Sequence, residues 1–201
     1  MVLTIGPFSF SASWFGLALA AAYLLGFFLF WRWGRKDGFS SEGLLDLAVI
    51  SSVAGLAGGK LLPLLLGGVA ESFWVGAMGV GGLVFYLYTV AKGWSFLRLA
   101  DWASVALSFG QALGWLGKGL AGSSLPALVS AAGFLLIGGG LGLLRFRGLP
   151  GLRFFSYLGL SGLLLSLSAG MVSAQLLSLG GGLGLAWIAI RGWFRLKRSR
   201  E

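Results

Sequence analysis

From Phe154 to Ile190 the chain runs 37 residues without one charged side chain. As a single helix that run would be about 55 Å long at 1.5 Å per residue, far more than a bilayer core of about 30 Å. It therefore reads as two membrane spans that meet near Ser168 to Val172. The rest of the chain supports a membrane setting: 57% of the 201 residues are hydrophobic, 10% are charged, and mean hydropathy is +0.91. A soluble domain does not carry such a composition. The 36 glycines then read as close-packing positions between membrane helices rather than as disorder.

The same reasoning divides the remaining residues. Spans are expected at about 11–31, 44–66, 73–90, 97–116, 125–144, 154–169 and 172–190. Residues 191–201 form a basic tail, and residues 1–201 form one transmembrane domain. The fold class is all-α, with seven transmembrane helices. Met1 to Trp31 carries no charge, so no basic n-region marks it as a cleaved signal peptide. Seven alternating spans put Arg32, Arg35, Lys36, Lys92, Arg98, Arg145, Arg147, Arg153 and the five cations after Ile190 on one side. That is 13 of the 15 basic residues. The positive-inside rule makes that side cytoplasmic, with the N-terminus outside and the C-terminus inside. The net charge of +9 is explained by these flanks and anionic lipid, so no nucleic-acid partner is implied.

Cysteine and histidine are both absent. This removes disulfides, thiolate metal sites, the usual neutral-pH base and the commonest metal ligand. Neither a metal nor a cofactor is expected. The polar groups at membrane depth are few. Asp46 and Asp101 sit in the first turns of their spans, where the helix dipole favours acids. Gln111 and Gln175 lie deeper and read as interhelical hydrogen-bonding amides. The tryptophans near span ends read mostly as an interface belt.

One stretch concentrates the functional candidates. Phe109 to Ser124, FGQALGWLGKGLAGSS, places five glycines, Trp115 and Lys118 where a membrane helix is expected to give way to a loop. Lys118 and Lys60 are the two cations away from the basic side. Each is either a lysine snorkelling to the interface or a point charge for a lipid phosphate. Candidate lipid-phosphate residues are Lys60, Lys118, Gly81, Gly82, Gly114 and Gly117.

The residues also carry a resemblance. Ile5-Gly6-Pro7 and Trp14-Phe15-Gly16-Leu17 open the chain. Asp46 with Gly58-Gly59-Lys60, and Met78 with Gly81-Gly82-Leu83, follow. Next come Asp101-Trp102 and the glycine frame Gly110, Gly114, Gly117 and Gly122, then Gln175-Leu176-Leu177-Ser178 near the end. In that order and spacing they resemble the bacterial prolipoprotein diacylglyceryl transferases. The resemblance implies a seven-span protein of the bacterial cytoplasmic (inner) membrane. It implies transfer of diacylglyceryl from phosphatidylglycerol to a lipobox cysteine. The implied partners are that phospholipid and a preprolipoprotein signal helix.

Against the family pattern, a histidine is replaced by Val80, a first-span tyrosine by Phe15, and the signature's arginine, asparagine and glutamate by Trp115, Lys118 and Ser123. An arginine and a glutamate of the sixth span find only leucine, serine and a glycine between Ser161 and Ser168. Deprotonating a thiol and expelling a glycerol phosphate require a base and cations. The expected function is thus a transferase-like protein with activity lost or reduced, leaving lipid or lipoprotein binding and no catalytic residue to name. The alternative is a small membrane transporter or a structural membrane subunit.

Overall fold

The computed structural model describes residues 2–5, 8–11, 14–65, 72–143, 149–169 and 173–198. Seven helices follow a short hairpin: β1 (Val2–Ile5), β2 (Phe8–Ser11), α1 (Trp14–Lys36), α2 (Ser41–Leu65), α3 (Ser72–Ala91), α4 (Phe96–Gly122), α5 (Leu125–Leu143), α6 (Leu152–Ala169) and α7 (Ser173–Arg198). Each helix lies on one expected span. Among the described residues, Phe15–Lys36, Ser41–Leu65 and Leu125–Leu143 are each long and apolar enough to cross a membrane. The apolar stretches Val75–Ala91, Leu152–Ser168 and Ser178–Ile190 are shorter. Residues 170–172, where the charge-free run is expected to turn, lie outside the described residues.

The hairpin is an addition to the all-α expectation. β1 pairs antiparallel with β2 from Val2 opposite Ser11 to Ile5 opposite Phe8. Only Gly6 and Pro7 separate the paired ends. The local chemistry explains the difference: β-branched and aromatic residues flank a Gly-Pro break. The first helix consequently starts at Trp14 rather than at Ser11.

The turns at the basic end close with left-handed glycines at Gly38 (φ 90), Gly93 (φ 66) and Gly151 (φ 94). After α3 the Trp94 N–H returns to the Thr89 carbonyl at 2.8 Å, a glycine-stopped helix end. Ser40 starts α2, its hydroxyl accepting the Gly43 N–H at 3.3 Å.

Small residues set the helix spacing. On the α2–α3 pair, a side chain at Gly58 would run into the Gly76 carbonyl and Val80, and one at Gly59 into Phe73. A Cβ at Gly81 would lie 3.1 Å from the Ser51 carbonyl and 3.2 Å from the Gly55 Cα. On α1 and α4, Ala18 meets Gly117, Gly110 meets the Ala22 carbonyl, and Gly26 meets the Ala106 carbonyl. On α6 and α7, Gly159 meets Gly181, while Phe155 covers Gly184. These are the close backbone approaches that membrane helices use when lipid leaves no hydrophobic gain from association.

Helix α4 is the hub and packs against α1, α5 and α6. Helix α6 is tied by polar contacts along its length. Asp101 of α4 accepts the Gly151 N–H at 2.8 Å and the Phe154 N–H at 2.9 Å, capping the start of α6. Deeper, the Tyr157 hydroxyl donates to Gln111 Oε1 at 2.9 Å, and Tyr157 is buried. At the far end, the Ser130 and Ser168 hydroxyls of α5 and α6 meet at 2.7 Å. Two hydroxyl protons serve these contacts: one serine donates to the other, which donates to the carbonyl of its own preceding turn, Pro126 or Leu164.

Candidate functional site

The glycine-rich stretch is helix where the sequence suggests a loop. Helix α4 continues through Trp115, Lys118 and Gly119 to Gly122. The turn comes at Ser123, in the left-handed conformation (φ 47, ψ 38), and the Ser124 N–H returns to the Gly119 carbonyl at 3.1 Å. Tertiary packing overrides the weak helix propensity of glycine here. A side chain at Gly117 would overlap Ala18 of α1, and one at Gly119 would overlap Leu128 of α5. Any larger residue would push those helices apart.

The side chains of this stretch divide by face. Trp115 is half-buried and packs against the core cluster built from Val105, Ala112, Phe134, Leu141, Tyr157 and Leu165. Lys118 is exposed, and its ammonium lies over the Trp115 ring at 4.8 Å from the centroid. An exposed cation–π contact contributes about 0.5–1 kcal/mol, enough to orient the lysine without hiding its charge. Beside them Gly114 faces open space.

The other candidates are on the α2–α3 pair. Lys60 is exposed on α2, next to Gly59, which is covered by Phe73. Gly81 is packed against α2, whereas nothing lies within 4 Å of a Cβ placed at Gly82. Among the described residues α2 packs chiefly on α3, and the far end of α4 on α1 and α5. The six candidates thus fall into two groups, Lys60 with Gly81 and Gly82, and Lys118 with Gly114 and Gly117. Both lysines lie at the end of the bundle opposite Asp101. Gly81 and Gly117 are packing glycines, while Gly82 and Gly114 leave room for a ligand.

Several polar groups sit differently from expectation. Asp101 is a cap for α6, and Gln111 makes the interhelical bond its depth suggests. Gln175 is exposed on α7. Asp46 is likewise exposed. The tryptophans of the basic end are more than a belt. Trp102 stacks on Trp33 at 5.5 Å and donates to Asp37 Oδ2 at 2.6 Å. The Arg153 guanidinium covers Trp102 at 4.3 Å. Trp94 meets Phe39 edge to face at 5.2 Å. Tyr157, Ser130 and Ser168 carry no signal in the sequence, since their partners come from other helices. Among the described residues, no three of His, Cys, Asp and Glu come together to hold a metal.

The family model described as prolipoprotein diacylglyceryl transferase matches residues 1–124. This chain belongs to that family. The match ends at the turn after α4, so the Gln175 to Ser178 resemblance lies outside it. A curated relative from Clostridium tetani, named phosphatidylglycerol–prolipoprotein diacylglyceryl transferase, is 26% identical over 121 residues. The alignment covers 54% of this chain and 49% of the relative, so the chain spans about half the length of the curated relative it matches.

Of the glycines that carry the resemblance, Gly58, Gly59, Gly81, Gly110 and Gly117 set helix spacing on α2, α3 and α4. Where the resemblance puts a cationic side chain, Trp115 instead joins the apolar core. Where it puts a histidine, Val80 packs across Gly58.

Proposed function

We propose that this chain is a diverged prolipoprotein diacylglyceryl transferase whose transfer activity is lost or greatly reduced. It retains binding of a phospholipid, phosphatidylglycerol by family analogy, or of a lipoprotein signal helix. The observation that carries this reading is the fate of position 115: an indole packed into the core cannot neutralise a leaving glycerol phosphate. A chain without histidine also lacks the usual group to take the proton of a lipobox thiol. Lys118 is the lipid-phosphate contact, a point charge held over Trp115 beside the open Gly114. Lys60, exposed on the α2–α3 pair, offers a second and separate contact.

In this reading the protein sits in the bacterial cytoplasmic (inner) membrane with seven spans, its N-terminus outside and its C-terminus inside. The common end shared by Arg32, Arg35, Lys92, Arg98 and Arg153 supports that orientation under the positive-inside rule. The transporter alternative is less favoured. A transport path calls for ionisable residues deep in the bundle, and the deep polar contact between α4 and α6 is an amide–phenol pair.

Expression in a strain depleted of its own transferase tests the proposal. The chain is expected not to restore lipoprotein maturation. Restored growth dependent on Lys118 would replace this reading with that of an active, divergent enzyme.

A further inference from the structure

The end of the bundle opposite Lys60 and Lys118 carries a set of cations with a common geometry. Helices α1 and α3 both finish there, and helical side chains lean back toward their own N-termini. Arg32 folds back over Phe28, 6.0 Å from the ring centroid, Arg35 over Trp31 at 5.0 Å, and Lys92 over Tyr88 at 5.7 Å. Each charge is held about one turn toward the apolar body of the protein, at the level of an aromatic girdle, instead of reaching into water. Trp31 and Tyr88 pack against the same core cluster, which joins the ends of α1, α2, α3 and α4. Arg32, Arg35 and Lys92 all remain exposed.

The nearby acids are largely committed. Asp37 accepts from the Trp102 indole, and Asp101 caps α6. Asp37, Glu42 and Asp46 are the three exposed acids described at this end, against the five exposed cations Arg32, Arg35, Lys36, Lys92 and Arg98. The surface therefore keeps a cationic excess at the depth where aromatic rings mark the edge of the hydrocarbon. Phe28 is itself 46% exposed, which places an open apolar ring directly beneath the Arg32 charge.

We infer that Arg32, Arg35 and Lys92 form a second lipid site, one that takes the headgroup phosphates of anionic glycerophospholipids in the leaflet on the basic side. The exposed ring and the folded-back charges suit a phosphodiester attached to acyl chains. A soluble polyanion would meet the same charges only from the water side. The inference is independent of the proposed function, whose lysines lie at the opposite end.

Native mass spectrometry of the purified full chain, released from micelles holding equal phosphatidylglycerol and phosphatidylcholine, reads this directly. The wild type is expected to retain phosphatidylglycerol preferentially, and raised ionic strength is expected to erode the preference. Each of Arg32→Gln, Arg35→Gln and Lys92→Gln is expected to weaken anionic-lipid retention about fivefold, corresponding to about 1 kcal/mol per basic residue at an anionic surface. The triple variant in a Lys60→Gln, Lys118→Gln background should approach parity between the two lipids. Lys60→Gln with Lys118→Gln removes the contacts proposed at the opposite end, and should keep a residual phosphatidylglycerol preference that each of the three basic-end variants lowers further. A preference unchanged in the single variants, or abolished by the lysine pair alone, would overturn the site. So would equal displacement of the lipid by a soluble oligonucleotide or by free glycerol phosphate. If the triple variant does not fold, the three single variants and the salt series decide the same question.

Discussion

The two ends of α4 are built on opposite principles. At its start Asp101 and Trp102 are tied into their neighbours: a carboxylate caps α6, and an indole is sandwiched between Trp33 and Arg153 while it donates to Asp37. At its finish the contacts with α1 and α5 are made by glycines, and the charged side chain there, Lys118, rests over the ring one turn behind it. The first end uses its polar groups to hold helices together. The second keeps helices close through glycines and leaves its lysine exposed. Strength of structural attachment and availability for a ligand thus separate along a single helix.

Substitutions at the two ends should differ accordingly. The largest effect is expected from Asp101→Ala, which removes two charge-assisted bonds and the cap of α6. A loss of about 3 kcal/mol is anticipated, readable as a large fall in the thermal midpoint of the detergent-solubilised protein. An unchanged midpoint would mean that α6 is held by its glycine contacts with α7 instead. Next comes Gly117→Leu, where the new side chain meets Ala18 of α1. Overpacking there is expected to cost about 1–3 kcal/mol and to weaken cross-linking between cysteines introduced on α1 and α4. Tyr157→Phe should cost about 1 kcal/mol, because the Gln111 carbonyl loses its buried donor. Lys118→Ala should change stability by under about 0.5 kcal/mol while reducing retention of phosphatidylglycerol. If it destabilised the protein as Asp101→Ala does, the contrast between the two ends would collapse.

Much of this architecture is legible in the sequence because charge is so scarce. Arg32, Arg35 and Lys36 stop α1, Lys92 follows α3, and the 37-residue neutral run has to be folded in two. These features mark seven helical segments, although α4 runs on to Gly122 and α7 to Arg198, past the expected ends at 116 and 190. The length of α4 is not legible. Glycine favours a loop locally, and only contact with Ala18 and Leu128, residues on other helices, keeps Phe109 to Gly122 helical. The hairpin at residues 2–11 is hidden because its apolar residues merge with the first span. Tyr157 and Ser168 stand in the neutral run with nothing to mark them, their meaning residing in Gln111 and Ser130 on other helices. In the candidate site, the types of side chain are visible in the sequence. That Trp115 joins the core, that Lys118 rests on it, and that Lys60 belongs to a different helix pair emerges only from the packing.

The central claim is that the family frame survives around a site that no longer supports the transfer. The purified chain, given phosphatidylglycerol labelled in its acyl chains and a lipobox peptide, measures that claim most directly. Label retained on the protein, with none appearing on the peptide thiol over hours, is the expected result. Steady transfer of label to the thiol, abolished by Lys118→Ala, would contradict it.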